Sequence, residues 1–195
     1  MNELRKIKNP WLHKPGYNCY CCSPNNPRGL HLEFWEEGED IITRWKPSTH
    51  YQGWLDTLHG GIQSMLLDEV AGWVVTRKLQ TTGVTSKMEV QYLKPISTLD
   101  EGLTIRARIV RQMRNVAFIE GEIINHHGEV CSKASLTYFC ASRQKAEEEM
   151  GFSGCELEET EYEKFRRMQM EQFEDDITEG RCYPEMPEGQ FIRSK

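Results

Sequence analysis

Two adjacent acids, Asp68 and Glu69, lie in the middle of an otherwise apolar run that opens, nine residues before Asp68, on His59-Gly60-Gly61. A buried helix favours neither feature, because glycine weakens helices and a buried carboxylate is costly unless something compensates it. Each has a chemical use. The start of a helix presents unpaired backbone N–H groups and a partial positive charge, and glycine lets a ligand approach them closely. His59-Gly60-Gly61 at such a start suits a carbonyl oxygen that becomes an oxyanion during attack. A carboxylate held near that carbonyl serves as a general base toward water or as a nucleophile. Successive helical residues are ~100° apart, so Asp68 and Glu69 point differently. One faces solvent or a salt bridge and the other a pocket, and residue type does not choose between them.

Spacing constrains the arrangement. From His59 to Asp68 a helix rises ~13.5 Å over ~2.5 turns, and the two side chains project from opposite sides. Asp68 is therefore badly placed for a carbonyl bound at the start of its own helix, and well placed for one at the start of an antiparallel neighbour. A twofold homodimer supplies that neighbour and gives two equal sites.

The elements that must hold these residues follow from periodicity. From His59 to about Gln80 there is no proline, and Ile62, Met65, Leu66, Leu67, Val70, Ala71, Trp73, Val74 and Val75 cover most of a helical circumference. Such a helix is buried on most sides. Strands are expected at Val84–Tyr92, Leu103–Ile109, Val116–Asn125 and Val130–Cys140, joined by short connections into an antiparallel meander, with an earlier hairpin pairing Leu30–Phe34 and Ile41–Trp45. About six strands around one long helix make an α+β layout, a single curved antiparallel sheet wrapping a central helix. Residues 1–28 hold four prolines and read as an N-terminal arm; 29–142 form the main domain; 143–195 are an acidic extension with an amphipathic helix expected over Glu156–Asp176.

Composition narrows the function classes. The 195 residues are 38% hydrophobic and 28% charged, as in ordinary globular proteins. A net charge of −6 argues against nucleic acid, and no apolar run approaches the ~20 residues of a membrane span. Seven irregularly spaced cysteines without a secretory leader point to the cytoplasm. The average hides an asymmetry. Thr76–Arg114 carries eight basic and three acidic residues, net +5, including Arg106, Arg108, Arg111 and Arg114, whereas Lys145–Lys195 is net −8 from fifteen acids and seven bases. The basic segment suits an anionic small molecule.

Several short stretches, in order, resemble the PaaI-like branch of the hotdog-fold acyl-CoA thioesterases: Gly53-Trp54, then LHGG at 58–61, LLDE at 66–69 and GVTSKMEVQYLKPI at 83–96, preceded by CYCCSPNNPRGLHLEF at 19–34. The similarity spans roughly Cys19 to Ala141, and departs from the usual pattern at Ser23 and at Leu55-Asp56-Thr57. The resemblance implies a hotdog fold, a dimer made by joining two sheets edge to edge, and thioester hydrolysis at the interface; whether that homodimer doubles into a homotetramer is left open by the sequence. It matches Asp68 to the catalytic acid, the Gly60 N–H to the group polarising the carbonyl, His59 to the residue shaping that turn, Thr85 to a hydroxyl near the attacking water, and Glu69 to an acid that commonly follows the aspartate. Gly61, Glu69 and the four arginines are then expected to contact substrate, the arginines through the phosphates of coenzyme A. No cofactor is implied beyond the coenzyme A of the substrate.

Three other readings compete. Cys19, Cys21 and Cys22 with His13 and His31 raise metal binding, but a structural zinc site commonly uses two Cys-x-x-Cys pairs and only Cys19/Cys22 is present, so no metal is expected. A non-catalytic acyl-CoA-binding or regulatory hotdog module would lack the helix acid, which is present. A hotdog dehydratase would arrange its histidine and acid differently.

Overall fold

A computed structural model of the chain describes residues 3–178. The chain divides into two compact units, Met1–Glu158 and Glu159–Lys195. Helix α1 occupies Gly60–Lys78, close to the span that periodicity predicts. Arg77 and Lys78 in its last turn suit the negative end of the helix and reach Glu36 at 2.9 and 3.1 Å.

The four meander strands are β6 (Gly83–Tyr92), β7 (Leu103–Met113), β8 (Val116–Ile124) and β9 (Val130–Cys140). They join β1 (Arg5–Lys6), β2 (Trp35–Glu37) and β3 (Asp40–Trp45) in a seven-stranded antiparallel sheet of order β1-β2-β3-β7-β8-β9-β6. Register shifts at Thr85/Lys87 and Ile109/Arg111 mark bulges. Leu66, Leu67, Val70, Val74 and Val75 of α1 are fully buried against Ile41, Leu103, Ile105, Ala117, Ile119 and Ile123 of the sheet. Full burial of a residue of this size contributes about 1.5–3 kcal/mol, so this interface is the main stabilising contact of the unit. Gly121 is what lets the helix seat on β8: a Cβ there would stand 3.3 Å from Leu67 Cδ2 and 3.4 Å from Ala107 Cβ.

Three differences from the sequence reading have physical reasons. Leu30–Phe34 alternates buried and exposed as a strand should, yet the sheet strand starts only at Trp35. The backbone of the earlier stretch bonds the arm instead, Leu30 N to Tyr20 O, Leu32 N to Cys21 O, and Ile7 N to Phe34 O. The arm also adds β1, a seventh strand that its prolines conceal. Finally, β4 (Gln52–Trp54) and β5 (Thr57–Leu58) form a small ribbon in the expected loop, turning at Asp56 with φ 53°.

Beyond the sheet, α2 (Arg143–Met150) is capped by the Ser142 hydroxyl, which accepts from Lys145 N, and ends at Gly151 in the left-handed conformation, φ 61°. Ala146, Phe152 and Cys155 are buried in the core. In the second unit, α3 spans Glu161–Thr178 rather than starting at Glu156. Leu157 bridges to Ile7, holding residues 156–158 extended, and Thr160 with Glu163 forms a reciprocal capping box, Glu163 N to Thr160 Oγ1 at 3.1 Å and Thr160 N to Glu163 Oε2 at 2.8 Å. The last part of the expected extension, residues 179–195, lies outside the described residues. No described helix is long and apolar enough to cross a membrane.

Candidate functional site

Helix α1 starts at Gly60 because His59 caps it. The His59 backbone is extended, its N–H donates to Tyr51 O at 2.9 Å, and its Nδ1 accepts from Gly61 N at 2.9 Å. Ile62 and Gln63 both donate to the His59 carbonyl. Of the first four helical N–H groups, only that of Gly60 is without a partner among the described residues. Its carbonyl side is fixed: the Tyr92 and Ser64 hydroxyls lie 3.0 and 3.1 Å from the Gly60 oxygen and 2.7 Å from each other. A free, oriented amide at the positive end of a helix is a donor suited to a developing oxyanion. Beside it, Gly60, Gly61, Leu58, Tyr92 and Leu93 line a cavity of about 410 Å³.

Two helical turns further on, the Asp68 carboxylate is held by two hydroxyls. Thr85 Oγ1, on β6, donates to Asp68 Oδ1 at 2.6 Å, and Tyr138 Oη, on β9, lies 2.9 Å from the same oxygen and 2.8 Å from the Asp68 carbonyl. Burial, with the charge of Asp68 adding to it, holds the Tyr138 phenol well above its ordinary range, so it stays a donor. Both donors address Oδ1. Oδ2 has no partner among the described residues and is the oxygen available to a water or a carbonyl carbon.

The neighbouring acid points elsewhere. Glu69 Oε1 accepts from Trp73 Nε1 at 3.1 Å and lies 3.9 Å from Cys19 Sγ. Burial raises its carboxyl above the usual range, and the Cys19 charge adds to that. Trp73 is itself clamped, stacked on Phe34 at 4.4 Å and edge-on to Trp11 at 6.0 Å. Around Glu69, hydrogen bonds from Cys21 and then Cys22 hold the Cys19 thiol far below its ordinary value. Of the two adjacent acids, then, Asp68 faces the sheet edge with Thr85, and Glu69 faces the arm.

The structure brings Asp68 together with Thr85, and His59 with Gly60 and Gly61, but not the two groups with each other within one chain. Asp68 follows Gly60 by ~12 Å of helical rise. Nor do the four arginines gather at either centre: Arg106 and Arg108 line a cavity of about 520 Å³ on the sheet, with Glu120, Glu122 and Lys133. Arg106 is ion-paired with Glu122, Arg108 stands opposite Glu120, and Arg111 sits 4.3 Å over the Phe118 ring. Arg114, at the β7–β8 turn, lines a cavity of about 650 Å³ with Val84, Phe139, Arg143 and Lys145. Sequence reasoning missed Tyr138, Tyr92 and Ser64 around the two centres, and Arg143 and Lys145 beside Arg114. A strand tyrosine carries no signal that separates a site hydroxyl from core packing.

Comparison with known proteins agrees with this architecture. Residues 55–132 match the family described as the thioesterase superfamily. The fold is a hotdog, PaaI-like in architecture, and over those residues the chain is similar to that superfamily. Acyl-coenzyme A thioesterase 13 of Mus musculus is 27% identical over 88 residues, 45% of this chain and 62% of that protein. A hypothetical thioesterase protein from Streptococcus pneumoniae TIGR4, solved with coenzyme A, is 29% identical with a TM-score of 0.51, over 53% of this chain and 82% of that one. That protein has also been solved with one aspartate and, separately, one threonine replaced by alanine. The PaaI protein of E. coli, 16% identical with a TM-score of 0.53 over 58% of this chain and 81% of that one, shares the fold. The chain spans a little under two thirds of the length of the curated relatives it matches.

Proposed function

We propose that the chain hydrolyses the thioester of a small or medium acyl-CoA to the free acid and coenzyme A, at a site shared by two copies. The observation that carries this reading is the pairing of a free Gly60 amide with an oriented Asp68 carboxylate whose Oδ2 is open. Gly60 N–H takes the thioester carbonyl oxygen, His59 fixes the turn that aims it, and the Gly61 backbone borders the bound group. The carbonyl carbon meets Asp68 of the second copy, acting as general base toward water or as nucleophile through a mixed anhydride. In either route the coenzyme A sulfur leaves as thiolate and takes a proton; in the second, water then opens the anhydride, releasing the acid and restoring the Asp68 carboxylate. Thr85 holds Asp68 and borders the water.

Strand β6 supports the shared site. It is one of the two edges of the sheet, ten residues long and mostly exposed, with Val84 63% and Tyr92 53% accessible. A long open edge is a template for pairing with another chain. Thr85 and Tyr92 mark the acid end and the amide end of this strand, ~23 Å apart. Antiparallel pairing of two β6 strands about a twofold axis near Met88 and Glu89 sets each acid end against the other copy's amide end. Homodimerisation, with or without doubling to a tetramer, follows from that pairing. The Arg114, Arg143 and Lys145 cavity beside Val84 then adjoins the completed site and suits the coenzyme A phosphates. Arg106, Arg108 and Arg111, each facing a neighbour on the sheet, have no part in this reading, and Glu69, turned to the arm, has none in the chemistry.

A panel of aliphatic and aromatic acyl-CoA esters with thiol release as readout tests the activity. Asp68→Asn is expected to lower turnover by about 10²–10⁴-fold with the oligomer unchanged. Undiminished turnover would remove Asp68 from its role. Single turnover in oxygen-18 water separates the two routes, since label in the Asp68 carboxylate marks covalent attack.

A further inference from the structure

We propose that Cys19, Cys22 and Glu69 bind a zinc ion that fastens the N-terminal arm to α1 beside the Asp68 site. The sequence offers one Cys-x-x-Cys pair and no second pair; the fold supplies the missing ligand as a carboxylate from a distant helix. The two sulfur atoms and a Glu69 oxygen all lie within 4.8 Å of one another, with Cys22 Sγ 3.3 Å from Cys19 Sγ and Cys19 Sγ 3.9 Å from Glu69 Oε1. A tetrahedral zinc, with Zn–S about 2.3 Å and Zn–O about 2.1 Å, sets S···S near ~3.8 Å and S···O near ~3.6 Å. The ligand atoms need to shift by only a few tenths of an ångström for these two pairs. The fourth position is open to a water.

Charge supports the same assignment. Glu69 is half-buried, and the groups that contact its Oε1, the Trp73 indole and the Cys19 thiol, are not cations. A carboxylate partly withdrawn from water without a positive partner is costly, and a divalent ion removes that cost. Thiolate ligands favour zinc over magnesium or calcium. Zinc takes both sulfurs as thiolates, so any thiol proton still present passes to solvent as the Zn–S bond forms, while the Glu69 carboxylate coordinates directly. The surroundings are those of a built site: Tyr17 Oη lies 3.0 Å from Cys22 Sγ, Asn9 Nδ2 donates to Tyr17 Oη at 2.8 Å, and Trp73 orients Glu69. His31, the obvious sequence candidate, is engaged elsewhere, its Nε2 2.6 Å from Asn26 O.

The test uses the reduced full chain, purified without chelator. Elemental analysis is expected to give about one zinc per chain, and Cys22→Ser and Glu69→Gln to lower occupancy at least about tenfold. In case either variant fails to fold, the wild type is stripped and titrated with Co²⁺. Thiolate-to-cobalt charge-transfer bands with intense tetrahedral d–d bands are expected, together with protection of the arm thiols from a disulfide reagent. Metal-free protein that takes up no cobalt, cobalt bound without charge-transfer bands, or a natively isolated chain with Cys19 and Cys22 joined in a disulfide would each overturn the assignment. None of these readouts depends on thioester hydrolysis.

Discussion

Gly60 is the first residue of α1, where its N–H has no helical acceptor, and His59 before it already has φ −58° and ψ 133°. Proline is well tolerated at a first helical position and demands an extended residue before it, so Gly60→Pro deletes the proposed oxyanion donor while keeping the backbone path. The added Cβ meets the Tyr92 ring at 3.3 Å, a contact at the accessible tip of that side chain. Loss of one oxyanion donor costs about 10²–10³-fold in kcat. The decisive step mixes this variant with Asp68→Asn. Each homodimer lacks one half of both sites, but a heterodimer pairs the intact Asp68 of one chain with the intact Gly60 of the other. Equal mixing with exchange makes half the dimers mixed, each with one complete site, and so returns about a quarter of wild-type turnover. Thiol release after co-refolding, against each variant refolded alone, measures it. If the mixture stays at the level of its parents although mass spectrometry shows heterodimers, both halves come from one chain and the shared site is refuted.

Thr85→Val and Tyr138→Phe each remove a donor to Asp68 Oδ1; a hydrogen bond to a charged group contributes about 1.5–3 kcal/mol, so each should lower kcat by up to about 10–150-fold, and a double-mutant cycle should show non-additivity because both act on one oxygen. Arg114→Ala should raise KM for an acyl-CoA several-fold and leave hydrolysis of a short thioester lacking the nucleotide unchanged, which steady-state kinetics on the two substrates would check. Gly121→Val places atoms against Leu67 and Ala107 and should destabilise by about 1–3 kcal/mol, seen as a melting temperature about 2–12 °C lower in calorimetry.

Much of this fold was legible because it rests on periodicity. The apolar residues covering most of the circumference from His59 to about Gln80 announced a helix buried on most sides, and alternation from Val84 to Cys140 announced the strands. Alternation also misled at Leu30–Phe34, since it reports which side chains are buried and not which backbone supplies the hydrogen bonds. The site was half legible. The ~100° step between Asp68 and Glu69 required that they diverge, but which one met the sheet depended on Thr85 and Tyr138 arriving from strands far along the chain. The arginine cluster looked like an anion site because the acids facing it, Glu120 and Glu122, sit on the next strand and become neighbours only through β7–β8 register. Glu69 and the cysteine loop are distant in sequence, and only the packing of the arm joins them.

The open flank of β6 has a consequence for solution behaviour. If the reactive centre exists only where two such flanks meet, output per molecule falls on dilution in proportion to the fraction of chains left single, and a newly made chain stays inert until it finds a mate. The same encounter hides a row of unsatisfied peptide groups that would otherwise recruit unrelated strands, so protection against clumping and acquisition of activity arrive in one event.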